Sequence, residues 1–202
     1  MDTSDLYRDV TSFAHSTPGW VRSAFEMWTT FGLLLFGALF ISVWWRARRQ
    51  DSARPVTLAF LAPLATAFAY VVSESVKSLV DEERPCRAVA GAAASLVPCP
   101  PHGDWSFPSN HSALAGAAAV TLALAVRRLA LLTVPLALLM AFSRVFVGVH
   151  YPHDVAVGLL LGAGTAVLAV LALERPAARI VTAVRAGGGR TAVRFTGPGS
   201  AR

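Results

Sequence analysis

Five apolar runs, separated by short polar stretches, decide what this chain can become. They cover residues 27–45, 55–73, 112–126, 129–143 and 155–173. A helix of about 20 apolar residues, within a range of about 17–25, crosses the hydrocarbon of a bilayer with all its backbone hydrogen bonds made internally. The first, second and fifth runs meet that length directly. The third and fourth reach it only with their flanks, if Arg127 and Arg128 between them carry their charge back to the interface. Hydrophobic residues make up 54% of the chain and charged residues 15%, a balance too greasy for an ordinary soluble domain. The expected fold class is all-α: a polytopic membrane helix bundle of five transmembrane helices, six at most. Residues 1–26 form an N-terminal segment, with an interfacial helix over 6–20 that Pro18-Gly19 would break. Residues 27–173 form the membrane domain, and 174–202 a basic, flexible tail.

Charge sets the expected orientation. With the N-terminus outside, twelve of the eighteen basic residues face the cytoplasm: Arg46, Arg48, Arg49 and Arg54, then Arg127 and Arg128, then the tail from Arg175 to Arg202. Excess Lys and Arg on cytoplasmic loops is the rule for membrane proteins. The net charge of +6 is therefore topological and implies no nucleic-acid partner. No cleavable signal is expected, because the acidic start lacks the basic and apolar regions such a signal needs. The Ala- and Arg-rich composition suggests a GC-rich bacterium, hence a bacterial cell membrane.

That orientation gathers every reactive candidate on one side. The first cluster is Lys77, then Arg84-Pro85, two cations seven residues apart and so near one face of a continuous helix. The second is Pro108-Ser109-Asn110-His111 ahead of the third run. Ser109 is a good N-cap, and a helix start offers free N–H groups to an anion. The third is Ser143-Arg144, five residues, His150, three residues, Asp154. A guanidinium can fork onto a phosphate, a neutral imidazole can attack phosphorus, and a carboxylate can fix its tautomer. Each cluster alone also reads as interfacial anchors and an ordinary cap. Cys86 and Cys99 lie in the intervening outer loop, either bridged or as two free thiols. His15, His102 and His153 make no zinc pattern, and His153 reads as a rim residue.

Taken jointly, Lys-x6-Arg-Pro, Pro-Ser-Asn-His and Ser-Arg-x5-His-x3-Asp resemble the tripartite signature of the type 2 phosphatidic acid phosphatase superfamily, over roughly residues 55–173. The resemblance implies a membrane lipid phosphatase that needs no metal or other cofactor. It implies His150 as the nucleophile that becomes phosphohistidine, Asp154 as its orienting carboxylate and His111 as the general acid. Lys77, Arg84, Arg144, Ser109 and Asn110 would bind the phosphate. Asn110 departs from the family's usual Gly. The implied substrate is a lipid phosphate, with a polyprenyl diphosphate such as undecaprenyl diphosphate first, and phosphatidylglycerophosphate or phosphatidic acid as the alternative. A lipid phosphotransferase could use the same intermediate. A transporter or non-catalytic binder is disfavoured because the runs hold almost no ionisable groups. The soluble haloperoxidase branch of the resemblance is disfavoured by the five runs.

Overall fold

The computed structural model describes residues 2–198, so the expectation for Arg202 lies outside the described residues. The regular elements of the described residues are all helices: α1 (Ser4–Ser16), α2 (Gly19–Ala47), α3 (Ala53–Lys77), the single turn α4 (Pro85–Ala88), α5 (Asn110–Ala125), α6 (Ala130–Phe146), α7 (Pro152–Ala186) and α8 (Arg190–Thr196). A 3-10 turn over Arg127–Leu129 leads into α6. Four segments are long and apolar enough to cross a membrane: α2, α3, α7 and the 20-residue Arg127–Phe146 unit. The third run gives α5, with 16 residues.

α5 is the centre of the bundle, packed between α3, α6 and α7. Its Ala113, Ala115, Ala117, Ala118 and Ala119 are all buried. Small residues suit this place because lipid offers no hydrophobic drive between helices, so close backbone packing must supply the attraction. The approach of α7 is closest at its glycines. A Cβ built on Gly162 would lie 2.0 Å from the carbonyl oxygen of Ala113, and one on Gly158 would lie 2.5 Å from that of Ser109. Gly116 on α5 meets the carbonyl of Leu159 in the same way.

Two regions differ from the sequence reading. α3 stops at Lys77, and residues 80–84 run without helix to Arg84, the N-cap of α4. Lys77 and Arg84 therefore do not share a helix face. Continuing α3 would have put Asp81, Glu82 and Glu83 at its C-terminal end, where the helix dipole disfavours negative charge. At the other end of the bundle, α7 runs on to Ala186, about 52 Å at 1.5 Å per residue, well beyond a hydrocarbon core of about 30 Å. The chain then turns through Gly187–Gly189, with Gly188 at φ 63°. α8 returns to the end of α2, where Trp44 Nε1 donates to Phe195 O at 3.0 Å and Arg48 Nη1 to Arg194 O at 2.8 Å. Helix thus occupies most of the described stretch beyond residue 173, held where arginines cap free carbonyls.

α1 ends just before Pro18 and buries Tyr7, Thr11 and Ala14. It packs against α6 and the loop ahead of α7, while Leu6 and Phe13 stay exposed. Tyr7 donates its hydroxyl to Gly148 O at 3.0 Å. Gly148 has φ 84°, and a Cβ there would meet Ser95 Cα at 2.9 Å, so only glycine fits. Cys86 and Cys99 are joined by a disulfide with Cα atoms 6.1 Å apart. Arg87 crosses the loop so closed to reach Glu83 and Pro100 O.

Candidate active site

The C-terminal ends of α3 and α6 and the N-terminal ends of α5 and α7 lie at one end of the bundle, and their terminal side chains converge. His150 ends the loop between α6 and α7 and is 2% exposed. Its Nδ1 lies 3.3 Å from Asp154 Oδ2. Its Nε2 lies 3.1 Å from Arg84 Nη1. Arginine can only donate, so Nε2 must accept; the remaining proton then sits on Nδ1, facing the carboxylate. This tautomer leaves the Nε2 lone pair turned toward the cations. Burial holds the His150 imidazole well below its usual pKa, and the charges of Arg144, Arg84 and Lys77 add to the effect. The ring is thus neutral, with a lone pair on Nε2.

Asp154 has no exposure and sits in the first turn of α7, where the helix dipole favours a carboxylate. Its Oδ2 also accepts from the Tyr151 backbone N–H at 2.8 Å and from the Ser106 hydroxyl. Ser106 Oγ lies 3.4 Å from His150 Nδ1 as well, so one buried hydroxyl braces both partners. Serine is too common a loop residue for sequence to single it out; its signal is the short reach back from the cap at Ser109.

Arg84 bonds the open side of His150, and Arg144 and Lys77 lie within electrostatic reach of it. Arg84, 3% exposed, donates Nη1 to Val149 O and Nε to Asp104 O. Its Nη2 lies 2.8 Å from Asp104 Oδ1, and Lys77 Nζ lies 3.4 Å from the same oxygen. Asp104 is thus what brings Lys77 and Arg84 together. Burial would raise its carboxyl, but the bond and charge of Arg84 and the charge of Lys77 outweigh this and hold it below the usual range. Arg144 donates Nη1 to Thr29 of α2 at 2.7 Å, while its buried Nε has no protein partner. Ser109 caps α5, its hydroxyl facing Ser112 N at 3.5 Å, and its own N–H donates to Asp154 O at 3.1 Å. His111, in the first turn of α5, is half-buried and within electrostatic reach of Arg144, His150, Lys77 and Arg84.

Asn110 stands apart from the others. Its side chain accepts from Ser73 Oγ at 2.7 Å and donates to Glu74, both on α3. The amide ties α5 to α3, so what it offers an anion is the backbone N–H of a helix start. His153, read from sequence as a rim residue, is 10% exposed and bonded on both ring nitrogens, to Thr3 and to Glu82.

These features define a multi-pass membrane protein with a buried histidine–carboxylate pair facing three cations. Comparison carries the assignment further. The PAP2 superfamily profile matches residues 58–176, well over half of the chain, and the protein belongs to that superfamily. It is 38% identical over 103 residues to the undecaprenyl-diphosphatase of Sulfolobus acidocaldarius, covering 50% of this chain and 48% of that one. It is 40% identical over 97 residues to the decaprenylphosphoryl-5-phosphoribose phosphatase of Mycobacterium tuberculosis, covering 47% and 50%. The chain therefore spans about half the length of these curated relatives. The fold is similar to that of Aquifex aeolicus LpxE, with TM-score 0.64, 23% identity and coverage of 82% and 93%. It is also similar to the transmembrane PAP2-type phosphatidylglycerolphosphate phosphatase of Bacillus subtilis, with TM-score 0.59, 21% identity and coverage of 85% and 86%.

Proposed function

We propose that the protein is an integral membrane phosphatase acting on a lipid phosphate or diphosphate, best a polyprenyl diphosphate, through a phosphohistidine. The observation that carries this reading is the lone pair of His150 Nε2 turned toward Arg84, with Asp154 behind the ring. Nε2 attacks phosphorus and the P–O bond to the leaving group breaks, its oxygen taking a proton from His111, whose charged form is supported by the negative charge of the bound phosphate. Water then attacks the phosphohistidine, giving its proton to His111, and phosphate leaves. Asp154 stabilises the charged ring between the two steps. Charge on the equatorial oxygens is met by Lys77, Arg84, Arg144 and the first N–H groups of α5, the work that a dication does in many phosphatases. The reaction is therefore assigned no metal.

An apolar recess of about 270 Å³, lined by Ala24, Phe25, Trp28 and Leu139, lies on α2 and α6, the helices that carry Thr29 and Arg144. It suits the first carbons of a lipid chain whose phosphate rests on the cations. The preference for a polyprenyl carrier follows two relatives whose names specify polyprenyl-linked phosphates. The distribution of basic residues supports an extracytoplasmic site, with the N-terminus outside and the C-terminal region inside.

Phosphate release from undecaprenyl diphosphate, phosphatidylglycerophosphate and phosphatidic acid, in detergent with excess EDTA, tests the proposal. Turnover in EDTA, fastest on the polyprenyl substrate, is expected. No turnover on any of them, or loss that added metal reverses, overturns it. Ser106→Ala should lower kcat by about tenfold to a hundredfold with KM little changed. A buried hydrogen bond to a charged group is worth about 1.5–3 kcal/mol, and this one acts on alignment rather than binding.

A further inference from the structure

The two oxygens of Asp154 face different neighbours. Oδ2 takes the bonds from Tyr151 and Ser106 and lies beside His150. Oδ1 is fully buried, accepts no hydrogen bond among the described residues, and lies 3.3 Å from His153 Nε2. Glu82 approaches the same nitrogen, its Oε1 and Oε2 at 3.0 and 3.2 Å. Two carboxylates and an imidazole nitrogen thus point their donor atoms at one another, all within 4.8 Å. A tetrahedral Zn²⁺ with bonds of about 2.0–2.1 Å holds adjacent donors about 3.3–3.4 Å apart, close to the separations of His153 Nε2 from Asp154 Oδ1 and from Glu82, so the ion needs the Glu82 carboxylate to turn toward Asp154. The other ring nitrogen, Nδ1, lies 2.8 Å from Thr3 Oγ1. The Thr3 hydroxyl can accept a hydrogen bond from Nδ1–H, the tautomer that leaves Nε2 free to ligate, as metal-binding histidines require.

We propose that Glu82, His153 and Asp154 form an inhibitory site for a zinc-class divalent cation, behind the catalytic histidine and separate from the phosphate cradle. On binding, the ring proton of His153 moves from Nε2 to Nδ1, where it is donated to Thr3 Oγ1, and the metal takes its place on Nε2. The ion on Oδ1 draws electron density from Oδ2, weakening the support that Asp154 gives His150 as its ring becomes positive. The inhibitory half of this proposal rests on the phosphatase reading; the binding half does not.

Zn²⁺ binding is measured on the full chain in detergent after EDTA removal, by competition with a chromogenic zinc chelator, and phosphate release is followed in parallel. The wild type should take up a single tight equivalent and lose turnover at least about tenfold, the scale on which partners of a catalytic group act. His153→Gln and Glu82→Gln should each lose that equivalent and the zinc sensitivity while keeping metal-free turnover. His150→Ala should keep the equivalent, which separates this site from zinc held in the cradle. Equal zinc uptake by wild type and both variants, or none by the wild type, overturns the site and leaves a hydrogen-bonded histidine only. Uptake with unchanged turnover overturns the inhibitory role. If no lipid phosphate is hydrolysed at all, the phosphatase reading fails while the binding arm still decides the site.

Discussion

Replacing His150 by Ala is expected to remove phosphate release, by at least about a thousandfold, because it deletes the proposed nucleophile rather than a helper. Neither His111 nor the cations can take its place, since none presents a neutral lone pair braced by a carboxylate. The chain should still fold. His150 contributes bonds to Arg84 and Asp154 but no part of the α3–α5–α7 packing, so an unchanged monodisperse elution profile in detergent is expected. Wild-type turnover by this variant would refute the assignment of the nucleophile. Incubating wild type and variant with ³²P-labelled lipid phosphate, followed by alkaline quench, adds a direct test: only the wild type should retain alkali-stable label.

The second large effect concerns packing. Gly162→Val should cost about 3 kcal/mol or more, at the upper end of overpacking. Its Cβ would fall 2.0 Å from a backbone oxygen of α5, and backbone cannot swing aside as a long side chain can. Total stability of about 5–15 kcal/mol leaves little margin for such a loss. A lower midpoint of thermal unfolding in detergent, with less monodisperse protein recovered, is the expected result. Gly164→Val is the control, because nothing lies within 4 Å of a Cβ there. Equal stability of the two variants would show that α7 does not need this approach. The contact also matters to the chemistry. Gly158 and Gly162 set α7 against α5, and those helices carry His150's partner Asp154 and the cap at Ser109.

Much of this was written along the chain. The apolar runs carried the all-helical membrane class, because a bilayer tests each segment nearly on its own, by length and polarity. The spacing of Lys77, Arg84, His111, Arg144, His150 and Asp154 carried the family, since three short patterns in a fixed order are rarely met by chance. Pro18-Gly19 marked the break after α1. Other features depended on partners distant in sequence. That α3 ends at Lys77, so that Asp104 rather than a shared helix face joins it to Arg84, needed a loop folded back over 27 residues. Ser106 and Thr29 gained meaning only when tertiary structure set them against Asp154 and Arg144, for a hydroxyl carries no role until its acceptor or donor is known. Local pattern determines which segments become helices and which residue types stand at their ends. Which of those ends meet, and which oxygen of Asp154 faces His150 and which faces His153, is decided by contacts between distant segments, and no periodicity along the chain encodes them.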